Sequence, residues 1–351
     1  MNLKQENEYI KTQEAEHFSA SLNHAMERGT DRERTFIRIR NFFRRPSRQG
    51  AAFAILCAVL WGVLPIYWKS LSSIDPILIL FYRILLAFLY ALTLGLCIYK
   101  REGLLKPLKQ KGVMGTFFFS GLLISMNWGI YIWAVNNGFL IQTSIGYYIE
   151  PLIVGIFGVA FFKEKISSFK LAAFGFACAG VAVILVYYRQ IPGIALTLAL
   201  SFAMYAAIKK RYQLDAVLAL LYETMLLVPI AFGMILYFEL TGRGAFANAQ
   251  PYQWGLLALA GILTGTPLLF FAMAANRVSL ITLGVTEYIS PSLTLLIGIF
   301  LYHERFEGVQ LVTFTLIWIG LAVFTAGEIR ESRKTVEVPK HGAEESIHRS
   351  D

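Results

Sequence analysis

Ten long apolar runs, separated by short charged or Gly/Asn-containing turns, constrain this chain more than any other feature. Crossing the roughly 30 Å hydrocarbon layer takes about 20 helical residues, and backbone polar groups in lipid find partners only inside helices or closed barrels. The runs cover residues 50–68, 77–99, 113–135, 139–162, 169–188, 191–208, 214–238, 254–275, 279–302 and 308–327. They predict an all-α polytopic membrane protein with ten transmembrane helices. Hydrophobic residues make up 56% of the chain and charged residues 16%, a balance that excludes an ordinary soluble domain. The sixth run is the least distinct, because it opens three residues after the fifth ends.

Residues 1–49 form a polar, basic tail without an apolar h-region or a small-residue cleavage site, so no removable signal peptide is expected. Lysine and arginine placement gives the orientation, since cytoplasmic loops retain positive charge. Of the 32 Lys and Arg residues, 27 fall on the side that holds both tails, and only Lys69, Arg189, Arg243 and Arg305 on the other. Both termini are therefore expected in the cytoplasm. The net charge of +9 is largely an orientation signal and implies no nucleic-acid partner. Within the tail, TFIRIRNFFRRPSR mixes five arginines with Phe36, Ile37, Ile39, Phe42 and Phe43, a pattern suited to anionic lipid. Residues 329–351 have a composition expected for a disordered cytoplasmic tail. Cys57, Cys97 and Cys178 all lie in apolar runs and lack metal-ligand spacing, so neither a metal nor another cofactor is expected.

Sliding the chain over itself by 140 residues brings its halves into register without gaps. YIEPLIVGIFGVAFFKEK meets YISPSLTLLIGIFLYHER, and the same shift pairs Asp75 with Asp215, Tyr82 with Tyr222, Asn136 with Asn276 and Gly180 with Gly320. Between 134 and 183 there are 14 identities in 50 positions. The expected organisation is a repeat over 50–190 followed by another over 191–328. Five spans per repeat is an odd number, so equivalent helices cross the membrane in opposite directions. Such inverted repeats commonly hold substrate at the midplane and rock around it.

Several stretches together carry a family resemblance: WGVLPIYWK, the arginine of FYRILL, NWGIYIWAVNNG followed by SIGYYIEPL, the YETMLLVP run, and LAGILTGTPLLFFAMAANRVSLITLGVTEYISPSL. Over roughly residues 50–328 the chain resembles the RarD-type permeases, or chloramphenicol-sensitive protein family, of the EamA branch of the drug/metabolite transporter superfamily. That resemblance implies two five-helix halves and movement of small solutes. The long basic tail departs from the family pattern. So does Glu150, where the resemblance implies asparagine.

Four ionisable residues fall about 10–17 Å into their spans at 1.5 Å per residue: Arg83, Glu150, Glu223 and Glu287. Arg83 and Glu223 are repeat equivalents of opposite charge, so an ion pair between them is expected. Glu287 is the equivalent of Tyr147, and Glu150 of Ser290; the fourth and ninth spans thus each present one carboxylate on the corresponding face, displaced by about one turn. Pro151 and Pro291 each remove a backbone donor beside these positions, freeing a carbonyl and marking a helix hinge. A polar site is expected from Arg83, Asn127, Trp128, Tyr147, Glu150, Glu223 and Glu287, for a small-molecule substrate and for proton or cation coupling. Asn127 is read as a group that senses substrate polarity. Trp133 and Tyr131 also suit an interfacial belt. The expected activity is alternating-access transport, the alternatives being a channel or a structural or regulatory membrane protein. No nucleophile–base pair, metal set or phosphate loop has the spacing an enzyme needs. Oligomeric state and substrate identity are not legible.

Overall fold

Asp75 and Asp215, one repeat apart, start the second and seventh spans in the same way. The Asp75 side chain accepts a hydrogen bond from the Ile77 amide, and that of Asp215 from the Val217 and Leu218 amides. Each satisfies amides that the first helical turn leaves without partners. The computed structural model describes residues 46–109, 112–137, 139–189, 193–213, 215–303 and 308–337. The expected lipid-binding segment around Phe36–Phe43 lies outside them, as do residues 338–351.

The described residues form α1 (Pro46–Lys69), α2 (Pro76–Ile98), α3 (Val113–Asn136), α4 (Leu140–Phe162), α5 (Ser168–Tyr188) and α6 (Gly193–Tyr212). They continue with α7a (Ala216–Met225), α7b (Val228–Leu240), α8 (Pro251–Ala275), α9a (Leu280–Glu287), α9b (Ile289–Phe300) and α10 (Gly308–Glu337). No strand occurs among the described residues. Among the described residues, nine helices are long and apolar enough to span a bilayer, or ten if the bent pair α7a and α7b counts as one. The chain is an all-α polytopic membrane protein, and the two-repeat, ten-span reading accounts for its helices. Large apolar side chains such as Leu96, Phe161, Val186 and Leu240 stand outward, as a lipid-facing surface requires.

Three boundaries differ from the sequence reading. The seventh span is broken and bends by 50°, because Pro229 has no amide to offer the Met225 carbonyl. The ninth is interrupted at Tyr288, where Pro291 leaves the Glu287 carbonyl without its donor. The last helix runs past 327 to Glu337, the extension GEIRESRK being rich in helix formers, and Lys170 ties α5 to it through Glu328 at 2.9 Å.

The repeat symmetry is visible in the contacts. A Cβ built on Gly180 would sit 3.2 Å from the Thr313 carbonyl, and one on Gly320 3.0 Å from that of Ala173. Since Thr313 is the equivalent of Ala173, α5 and α10 cross on the pseudo-two-fold axis. The axis also passes between α4 and α9, where the Tyr288 hydroxyl donates to the carbonyl of its own equivalent, Tyr148, at 2.9 Å. Gly180→Val and Gly320→Val should therefore each lower stability by about 1–3 kcal/mol through overpacking. Unfolding titration in mixed micelles measures this, and a Gly320→Val protein as stable as the wild type would contradict the crossing.

Candidate functional site

Polar contacts join the halves at both ends of the bundle. At one end the Tyr67 hydroxyl donates to the Leu256 carbonyl at 2.7 Å, Gln253 accepts from Ser73 at 2.6 Å, and Arg243 pairs with Asp75 at 2.6 Å. At the other end the Glu164 carboxylate, just past α4, accepts from the Leu280 and Ile281 amides at 2.8 and 3.1 Å, capping α9a. Lys210 donates to the Val278 carbonyl beside it.

Arg83 lies between these ends. Its guanidinium lies over the indoles of both Trp68 and Trp128, each centroid 4.4 Å away, and its Nε donates to the Thr264 hydroxyl at 3.1 Å. Tyr147, Tyr67 and Tyr131 stand within electrostatic range. The Tyr147 ring packs on Tyr131 at 5.5 Å and is 43% exposed. A narrow cleft lined by Gly121, Ser125, Trp128, Glu223, Thr224 and Thr264 opens beside this group, between α2, α3, α7a and α8.

The expected Arg83–Glu223 pair does not form. Glu223 accepts instead from Lys209 at 2.6 Å and from the Ser120 hydroxyl at 2.5 Å, and both members of the ion pair are almost fully buried. The physical reason is depth. α2 and α7 pack on each other, but an inverted repeat sets equivalent residues at matching depths from opposite ends, so Arg83 sits beside Trp68 at the end of α1 and Glu223 beside Lys209 near the end of α6. Asn127 also departs from its expected role. Its amide donates to the Leu198 carbonyl at 2.7 Å and to Ser201 at 3.0 Å, so it clamps α3 to α6.

Glu150 and Glu287 come from opposite repeats and interact electrostatically across the α4–α9 crossing. Both are buried, and neither has an ion pair or side-chain hydrogen bond among the described residues; the Glu287 Oε1 is sealed without a partner. Tyr147 and Tyr288 face Glu150, and Cys57 faces Glu287. The two prolines differ. α9 breaks three residues before Pro291, whereas α4 continues through Pro151, whose carbonyl abuts Gly284. Pro151 thus marks a close helix contact, not an open hinge, in this conformation.

Trp68, Thr264 and Lys209 escaped the sequence reading. Lys209 was legible as the 140-residue equivalent of Lys69, a charge carried inside a helix end. Trp68 and Thr264 belong to apolar stretches in which nothing separates them from packing residues. Trp133 is half exposed and stacks on Phe139, as a belt residue does.

The EamA-like transporter family matches the chain over residues 48–186 and again over 192–326. Among similar proteins, the uncharacterized transporter YojE of Bacillus subtilis (strain 168) is 39% identical over 292 residues, covering 82% of this chain and 97% of the relative. Protein RarD of Escherichia coli (strain K12) is 35% identical over 295 residues, covering 83% and 98%. Protein RarD of Streptomyces exfoliatus is 32% identical over 82% of this chain and 91% of the relative. A solved crystal structure shares the fold at TM-score 0.62 and 20% identity, over 80% of this chain and 98% of its own. With ten helices in place and two family matches that together run through nearly all of them, the chain belongs to the EamA-like transporter family.

Proposed function

We propose that this chain moves a small solute across a bacterial inner membrane by alternating access, with both termini in the cytoplasm, and that Glu150 and Glu287 couple the movement to a proton or another cation. The carrying observation is the pair of buried, unpartnered carboxylates facing each other from opposite repeats. Two like charges in a low-dielectric interior repel strongly. One proton or cation held between them relieves that repulsion, and separation of the halves removes the need for it. Binding at this crossing is thereby linked to the relative position of the repeats.

The contacts at the two ends support the same reading. Tyr67, Gln253 and Arg243 bridge the halves at one end, and Glu164 bridges them at the other. Alternating access requires these bridges to release in turn. Glu164→Ala removes two backbone partners from α9a and should open its end of the bundle. The expected outcome is labelling of Cys introduced at Leu280 by a membrane-impermeant maleimide several-fold faster than in the otherwise wild-type Leu280→Cys protein. Equal labelling would mean that Glu164 holds nothing shut.

Counterflow into proteoliposomes tests the transport reading. Labelled solute should accumulate transiently against excess unlabelled solute inside, and saturate with concentration. Ionic conductance without saturation or counterflow would identify a channel instead. Absence of both, across anionic, neutral and cationic solutes, would leave a structural or regulatory role.

A further inference from the structure

Arg83, deep in α2, presents a hydrogen-bonding edge that no described residue shares. Its Nε is held by Thr264, and its guanidinium lies over the rings of Trp68 and Trp128. These contacts restrict its rotation and leave the edge bearing the two Nη groups unengaged. Among the described residues those groups have no hydrogen-bond partner, and neither is sealed from the surrounding space. The one mid-helix carboxylate at its repeat-equivalent position, Glu223, is already engaged by Lys209 and Ser120. Glu150 and Glu287 form no ion pair with it. A cation in the middle of a membrane protein without a counter-charge is costly, and an exchangeable anion supplies one.

We propose that Arg83 is the recognition residue for a carboxylate on the transported solute, an inference that rests on the transport reading above and names the substrate class. Two parallel Nη–H donors match the two oxygens of a coplanar carboxylate. Indole rings over the guanidinium leave its plane as the direction of approach, which suits a flat carboxylate better than a tetrahedral phosphate. Tyr131 and Tyr147, within electrostatic range of Arg83, add polar groups to the site. The single unpaired charge matches a single negative charge. The narrow cleft that continues past Trp128 and Thr264 toward Ser125 and Gly121 is lined largely by apolar and small groups, and its one carboxylate, Glu223, is already paired with Lys209, so the rest of the solute is expected to be uncharged. Trp68, Trp128 and Thr264 act as positioning residues.

Lysine at this position keeps the charge but loses the fork and the stacking, and this separates recognition from simple attraction. The experiment uses the full-length protein in nanodiscs with acetate, benzoate and indole-3-acetate, each beside its neutral primary amide, plus inorganic phosphate. Thermal stabilisation and tryptophan fluorescence are read together, since Trp68 and Trp128 border the site. At least one carboxylate should stabilise the wild type and change its fluorescence, at an affinity tenfold or more above that of its amide and of phosphate. Arg83→Lys and Thr264→Val should each weaken that carboxylate, Arg83→Lys by at least tenfold. The comparison of acid with amide needs no variant, so poor folding of either one does not weaken it. Amides or phosphate binding as well as the acids, no carboxylate response on the wild type, or full retention in a folded Arg83→Lys protein would each overturn the assignment. Saturable counterflow of a neutral or cationic solute, with no response to the acids, would overturn it while leaving the transport reading intact.

Discussion

Lys209→Ala is expected to lower the stability of the folded bundle by about 3–5 kcal/mol, the cost of leaving a buried carboxylate without its partner. The side chains of Lys209 and Glu223 are 4% and 3% exposed, and their 2.6 Å contact is supported by Ser120 on the same carboxylate oxygen. Tyr205 lies against the ammonium at 5.1 Å from its ring centroid. Little of Glu223 is open to water that could replace what the lysine supplies. Glu223→Ala should cost a similar amount by stranding the lysine. The double substitution Lys209→Met/Glu223→Leu should recover most of the loss, because removing both charges removes the desolvation penalty with the attraction. Equilibrium unfolding in mixed micelles measures all three proteins. A Lys209→Ala protein within about 1 kcal/mol of the wild type would show the pair to be exchangeable with water, contrary to its burial.

The second large effect falls on flux. In proteoliposomes carrying the wild-type protein, a gradient of one pH unit stores about 1.4 kcal/mol per proton, enough for a roughly tenfold accumulation of a solute that moves with, or against, one proton. Glu287→Gln keeps the shape of the side chain and removes its proton site. Its accumulation ratio should fall to about one while counterflow, which needs no net proton movement, persists. Glu150→Gln should do the same, since the two carboxylates interact and both face the α4–α9 crossing. Wild-type ratios in both variants would overturn the coupling role and leave facilitated exchange. Loss of counterflow as well would place these residues in solute binding.

The helices were legible because hydropathy and the lipid's demand for internal hydrogen bonds act on long segments, where single residues average out. The inverted repeat was legible because the 140-residue shift preserves residues with strict local duties, such as the caps Asp75 and Asp215. Burial of Glu150, Glu223 and Glu287 followed from their depth in apolar runs. Partner choice was less accessible. A shift in sequence identifies which residues are equivalent but not whether they meet at one depth, and Tyr148–Tyr288 and Arg83–Glu223 fall on opposite sides of that distinction. Asn127 shows a second limit. An amide reaching a solute and an amide clamping Leu198 and Ser201 have the same sequence signature, and only the approach of α6 decides between them. The breaks in the seventh and ninth spans were partly legible through Pro229 and Pro291, yet Pro151 leaves α4 continuous, so proline alone does not determine where a membrane helix opens.

Opposite charge at one pair of equivalent positions bears on the history of the gene. Lys69 and Arg83 in the first half correspond to Lys209 and Glu223 in the second. A recombinant carrying two copies of the first half would place four cations at these positions and no carboxylate among them. One with two second halves would lose Arg83 altogether. Exchange of sequence between the halves at these positions would therefore remove one of the two buried charge arrangements, so the fold needs the copies to differ here.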